Sequence, residues 1–212
     1  MMRPFWKHRT APSVAVPTRE IIRHFNQAAA DEEHFPSTID PRIYHVQLIL
    51  QQFGDLTTKR ILDAGCGKGR FARVLHDRYP QAHIHAFDLA EAMLRFVPAG
   101  IMPCAGSLTS MPFAEESFDC AYATESMEHA VDIETAVAEL CRVVKPGGRI
   151  VIIDKNAEHW GRLKTPEWEK WFDRKQLEQL LRRHCRQVSS QSISYWEDVA
   201  PDGLFLAWLA EK

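Results

Sequence analysis

The sequence predicts an α/β fold, a mostly parallel sheet with helices on both faces. Three observations predict it. First, Ile61-Leu62 is a short apolar run ending in Asp63, followed by glycines at 65, 67 and 69 and then by apolar residues at helical spacing, Phe71, Val74, Leu75 and Tyr79. That order is strand, tight turn, helix. Second, short apolar runs alternate with helix-period runs from Ile61 to Asp154. Third, 212 residues with a formal net charge of -2 suit one domain that buries its own core.

Taken in order, residues 1–17 hold scattered charge and prolines and are expected to be a poorly ordered lead-in to a single domain over 18–212. Ile21, Phe25, Ala28 and Ala29 share a helical face, giving a helix from Thr18 to about Asp31. Asp40-Pro41 reads as N-cap and first helical residue of a second helix, with Val46, Ile49, Leu50 and Phe53 on its face and Gly54 ending it. These two helices fill 18–54. Residues 82–87, 101–105, 120–124 and 150–153 are further strands. Asp132 caps the helix carrying Ile133, Val137 and Leu140, and Pro146-Gly147 is a turn. Thr165-Pro166 begins a short helix with Trp168, Trp171 and Phe172, and Asp173 caps the next. Residues 187–196 and 203–209 are the last strands.

The glycines remove Cβ atoms where a ligand would approach the backbone, beside the free N–H groups of a helix start. Their spacing, G-x-G-x-G after Asp63-Ala64, departs from the G-x-G-x-x-G of dinucleotide sites. It resembles the first motif of class I S-adenosylmethionine-dependent methyltransferases. Met111-Pro112-Phe113 with Ser117-Phe118-Asp119, and Glu139-Leu140 with Arg142-Val143-Val144-Lys145-Pro146-Gly147-Gly148, are similar to later passages of that family in the same order. The resemblance implies a Rossmann-like doubly wound sheet with one antiparallel strand near the C-terminus, and S-adenosyl-L-methionine as cofactor. It implies that Asp63, Ala64, Gly65, Cys66 and Gly67 hold the methionine end. Asp88, at the end of the second strand, suits a ribose diol because a carboxylate accepts several hydrogen bonds. Leu89 and Met93 would flank the adenine, with Ser107 and Leu108 at its amino edge. Ser107 stands where many members carry an acid. Glu125 joins this rim at the end of the fourth strand. Met93 serves core packing equally well.

His129, just past the fourth strand, is the candidate base, with a structural role at a helix start as its alternative. Lys155 and Trp160 are candidate acceptor contacts, in a variable acceptor-side segment over 155–185. Arg42, Tyr44 and His45 are weighed for the same purpose. The near-neutral charge supplies no basic face for nucleic acid, and Thr124-Glu125-Ser126-Met127 stands where base-methylating enzymes often carry an (N/D)-P-P-(Y/F) run. The expected partner is a small-molecule acceptor, with O, N or C receiving the methyl. A binding protein without turnover, and RNA or protein acceptors, stay as alternatives. The five cysteines form no C-x-x-C pair, so neither a metal site nor a disulfide framework is expected. With no run of membrane-span length and no signal-peptide core, the expected location is the cytoplasm.

Overall fold

The structure is a computed structural model that describes residues 18–212; the lead-in expected over 1–17 lies outside the described residues. Helices α1 (Thr18–Ala28) and α2 (Tyr44–Phe53) precede β1 (Arg60–Ala64), α3 (Arg70–Arg78), β2 (His83–Asp88), α4 (Glu91–Leu94), β3 (Met102–Ala105) and β4 (Phe118–Thr124). Then follow α5 (Ile133–Val143), β5 (Val144–Lys155), α6 (Arg174–Leu181), β6 (Gln187–Ile193) and β7 (Phe205–Glu211). The seven strands form one sheet in the order β3-β2-β1-β4-β5-β7-β6. The first five pair in parallel, and β7 runs antiparallel to both of its neighbours. It is therefore the one reversed strand, as the family resemblance implies.

Strand period two divides the core. On β1, Ile61 packs with Val46, Ile49 and Phe53 of α2 and with Phe71 and Leu75 of α3. Leu62 and Ala64 point the other way, into the cluster that holds Val137 and Leu140 of α5 and Leu177 and Leu181 of α6. Both layers are buried, which is why the parallel strands read as near-continuous apolar runs. From β1 the chain steps outward one way through β2 and β3, and the other way begins at β4. The loops beyond β1 and β4 therefore diverge and open a crevice at the strands' carboxyl ends.

Asp132 and Asp173 cap as predicted, accepting the amides of Thr135 (3.2 Å) and Gln176 (2.9 Å). Asp40 does not cap α2. Its carboxylate takes the Arg42 amide at 2.8 Å and clasps the Arg42 guanidinium at 2.6 Å, closing a local turn, and the helix starts only at Tyr44. The short helix predicted at Pro166 is a turn closed by the Glu169 amide on the Pro166 carbonyl (3.1 Å). Long-range bonds capture the rest of that segment: Lys170 N–H donates to Glu128 O, and Phe172 N–H to Lys155 O. Strand β6 stops at Ile193, where the Ser194 hydroxyl turns back to the Val199 carbonyl at 2.7 Å.

Asp63 is 1% exposed at the end of β1. Burial pushes its carboxyl up to about 7, offset in part by the approach of the Tyr122 hydroxyl. Its ordinary value is 3.8, so the folded protein holds this proton more tightly than the unfolded chain, and stability falls as pH rises through that interval. Asp63→Asn is expected to be more stable than the parent above about pH 7. In urea titrations its advantage should shrink toward zero as pH falls, by up to about 1.4 kcal/mol per pH unit. Separately, Asp132→Ala should lower the unfolding free energy by about 1 kcal/mol, read as a reduced denaturant midpoint at unchanged slope.

Candidate active site

The turn after β1 sits where the crevice opens. Gly65, Gly67 and Gly69 have φ of 82°, 54° and 76°, a left-handed region that side chains rarely adopt. The reasons differ by position. A Cβ on Gly65 would stand 2.3 Å from the Ser126 Cβ, because the end of β1 passes under the loop after β4, where the Ser126 hydroxyl donates to the Ala64 carbonyl at 2.7 Å. A Cβ on Gly67 would meet nothing within 4 Å; it would project into open space. The Gly67 amide donates to Asp88 Oδ2 and the Ala90 amide to Asp88 Oδ1, both at 2.8 Å. One carboxylate thus holds the loop after β1 against the loop after β2. Burial raises the Asp88 pKa, and the two amide bonds act against that rise.

Above this turn lies a cleft of about 280 Å³. Gly65, Cys66, Gly67 and Asp88 form one part of its wall, and Leu89, Met93, Ser107 and Leu108 another. Ser107 spends its hydroxyl on Thr109, with oxygens 2.8 Å apart. Glu125, His129 and Lys155 complete the predicted residues that line it. Asp63 and Ala64, 1% and 0% exposed, are not part of the lining and support the turn from beneath. Trp160 also lies off the cleft. It follows a turn of 3-10 helix and packs edge-on against Trp171 at 5.3 Å, away from the lining where the sequence placed it as an acceptor contact. Arg42, Tyr44 and His45 likewise do not line the cleft. His45 is fully buried and stacked on Tyr195 at 4.7 Å.

The cations of the lining are paired. Lys68 reaches back to Glu32 at 2.8 Å and to the Asp31 carbonyl at 3.2 Å, tying the segment after α1 to the glycine turn. Arg70 Nη2 is 3.3 Å from Glu125 Oε1, which also accepts the Tyr195 hydroxyl at 3.2 Å. Glu125 itself has φ of 50°, a strained backbone at the mouth of the cleft. Lys155 Nζ lies 2.6 Å from Glu128 Oε1 and 3.2 Å from Glu169 Oε1. Burial works against the Lys155 charge, and Glu128, Asp154 and Glu169 outweigh it. Burial, then Asp154, drives the Glu128 carboxyl well above its usual range. Burial lowers His129 to about 3, with Lys155 adding to the effect, so its ring is neutral at physiological pH. Ligand atoms of Glu128, His129 and Glu169 lie within 4.8 Å of one another, a spacing that a metal could use, but the Lys155 ammonium already bonds both carboxylates there.

Sequence reasoning did not single out Arg70, Glu169 or the α1 residues Ile21, His24 and Phe25, all of which line the cleft. Arg70 begins the helix directly behind the glycines, a position from which its reach could have been read. Glu169 carries no such signal, because its place depends on the turn that replaces the predicted helix.

Residues 62–152 match the family model described as a methyltransferase domain. The chain is 31% identical over 136 residues to a malonyl-[acyl-carrier protein] O-methyltransferase of Dechloromonas aromatica, covering 64% of this chain and 51% of that one. It is 33% identical over 102 residues to the ubiquinone/menaquinone biosynthesis C-methyltransferase UbiE of Syntrophotalea carbinolica, covering 45% of this chain and 43% of that one. The chain thus spans about half the length of these curated relatives. Among solved structures, the [4+2]-cyclase SpnF shares the fold with a TM-score of 0.73 at 16% identity, over 96% of this chain and 99% of that one. The matched segment thus carries a methyltransferase domain, and the glycine turn, the Asp88 bridge and the sheet order around it support a class I S-adenosylmethionine-dependent methyltransferase.

Proposed function

We propose that this chain binds S-adenosyl-L-methionine and moves its methyl group to a small-molecule acceptor. The observation that carries this is the open backbone at Gly67 beside a carboxylate that still has acceptor capacity. Asp88 receives one N–H on each oxygen, leaving a lone pair on each for a vicinal diol. Leu89, Met93 and Leu108 offer apolar faces for a purine. At the other end, Arg70 and Glu125 form a charge pair that suits the carboxylate and ammonium of an amino acid, while Gly67 leaves room for its backbone-close approach.

The sulfonium, when bound, supplies an already activated methyl group. What the protein has to add is alignment, which can contribute up to ~7–11 kcal/mol. Ile21 and Phe25 of α1, with Phe35 and Pro36, wall the cleft against water, and the Lys68–Glu32 ion pair fastens that wall to the glycine turn. His129 faces the cleft as a neutral ring. A value near 3 gives it little hold on a proton at neutral pH, which favours an orienting role over that of a base. The net charge of -2 favours a small acceptor over nucleic acid. Among the described residues no helix is long and apolar enough to cross a membrane, and all five cysteines are free thiols, which accords with the reducing cytoplasm.

Calorimetric titration should detect binding of the cofactor, and incubation with methyl-labelled cofactor and a metabolite pool should yield a labelled small molecule. Gly67→Ala is expected to fold, at a cost of about 1–2 kcal/mol for its left-handed backbone, and to bind the cofactor at least about tenfold more weakly. Unchanged affinity in that variant would contradict the proposed placement. Gly65→Ala should instead lose thermal stability, because its methyl group meets the Ser126 side chain.

A further inference from the structure

Resting on the methyltransferase reading above, we infer that the acceptor carries a cationic nitrogen, an ammonium or alkylated ammonium, which docks against Glu169 at the aromatic wall of the cleft. Glu169 lines the cleft and is 5% exposed. Its Oε1 is fixed by the Trp171 indole N–H at 2.8 Å and by Lys155 Nζ at 3.2 Å. Its Oε2 accepts no hydrogen bond among the described residues. A carboxylate oxygen on the cleft wall without a donor is open to one, and a cationic ligand group would supply it.

The surroundings discriminate by charge. The lining cations are each engaged: Lys68 by Glu32, Arg70 by Glu125, and Lys155 by Glu128 and Glu169. Lys170, on the segment behind Glu169, spends its ammonium on the Ala130 carbonyl at 2.6 Å. Lys155 is held between Glu128 and Glu169 with Asp154 beside them, so the Glu169 carboxylate, not a free ammonium, sets the charge that a guest meets at this wall. The His129 ring, neutral through burial, adds no opposing charge. An acceptor carboxylate brought here would meet the like charge of Glu169 at a desolvated contact and be rejected. The apolar part of the wall suits the same guest. Phe25 lies 4.9 Å from the His129 ring and 5.9 Å from Phe35, and aromatic faces attract ammonium groups.

The test uses the full chain saturated with the demethylated thioether cofactor, titrated calorimetrically with 2-phenylethylamine, 2-phenylethanol and 3-phenylpropionate. These probes share an apolar body and differ in the charge they present. The amine should bind most tightly and the carboxylate not measurably. Glu169→Gln should weaken the amine about thirtyfold and leave thioether affinity within about twofold. Tighter binding of the carboxylate, an amine affinity indifferent to Glu169→Gln, or no amine binding to the saturated protein would each overturn the inference. So would a Glu169→Gln variant that binds the sulfonium cofactor weakly and its thioether normally, since Glu169 would then serve the methyl donor. If Glu169→Gln fails to fold, the ranking of the three probes on the parent protein decides. Failure of the thioether itself to bind would instead remove the methyltransferase reading and this inference with it.

Discussion

The hydrogen bond from the Gly67 amide to Asp88 is the constraint on which the rest of the site depends. It joins the loops that leave the neighbouring parallel strands β1 and β2, on one side of the crevice. Asp88 can make it because the Ala90 amide fixes its other oxygen and so fixes its rotamer. Gly67 can donate it because only a residue without Cβ holds φ of 54° at little cost while leaving the space above open. The cleft floor is therefore backbone and carboxylate, both set before any ligand arrives. Preorganisation of this kind lowers the ordering cost of binding.

The charged groups over that floor follow a second rule. Each lining cation has an acid partner, and the acids outnumber them. A buried network of this sort is poor value for stability, because desolvation of its members offsets most of their attraction. Asp154 and Glu128 show the strain: burial raises both carboxyls, and Lys155 is what holds the cluster together. Its position at the mouth of a cleft, on the carboxyl ends of β4 and β5 and on the segment ahead of α6, is where a protein would spend stability on selecting a ligand.

Features written in local sequence were readable before the structure. The strand, glycine turn and helix around residue 65, the acid at 88, and the caps at Asp132 and Asp173 all act within a few residues of themselves or within a recurrent βαβ unit. Features set by long-range contacts were not. Asp40 looked like a cap, but Arg42 was the nearer and stronger partner for its carboxylate. Residues 165–172 looked like a helix start, but backbone bonds to Glu128 and Lys155 took the chain elsewhere. That detour carries Glu169 into the cleft wall and leaves Trp160 packed on Trp171 away from it. Helical periodicity marked Phe25 as apolar but could not say that part of that face covers a cleft instead of a core.

The most direct measurement of the central claim is the calorimetric affinity of Asp88→Asn for the thioether form of the cofactor. An asparagine keeps the size of Asp88 but turns an amide donor toward one of the two backbone amides it must receive. The account predicts a folded variant, less stable than the parent by about 1–3 kcal/mol for the mispaired amide, with an affinity lowered by about tenfold or more. A folded variant with parental affinity would contradict it, because the cleft would then bind without the carboxylate that aligns its floor.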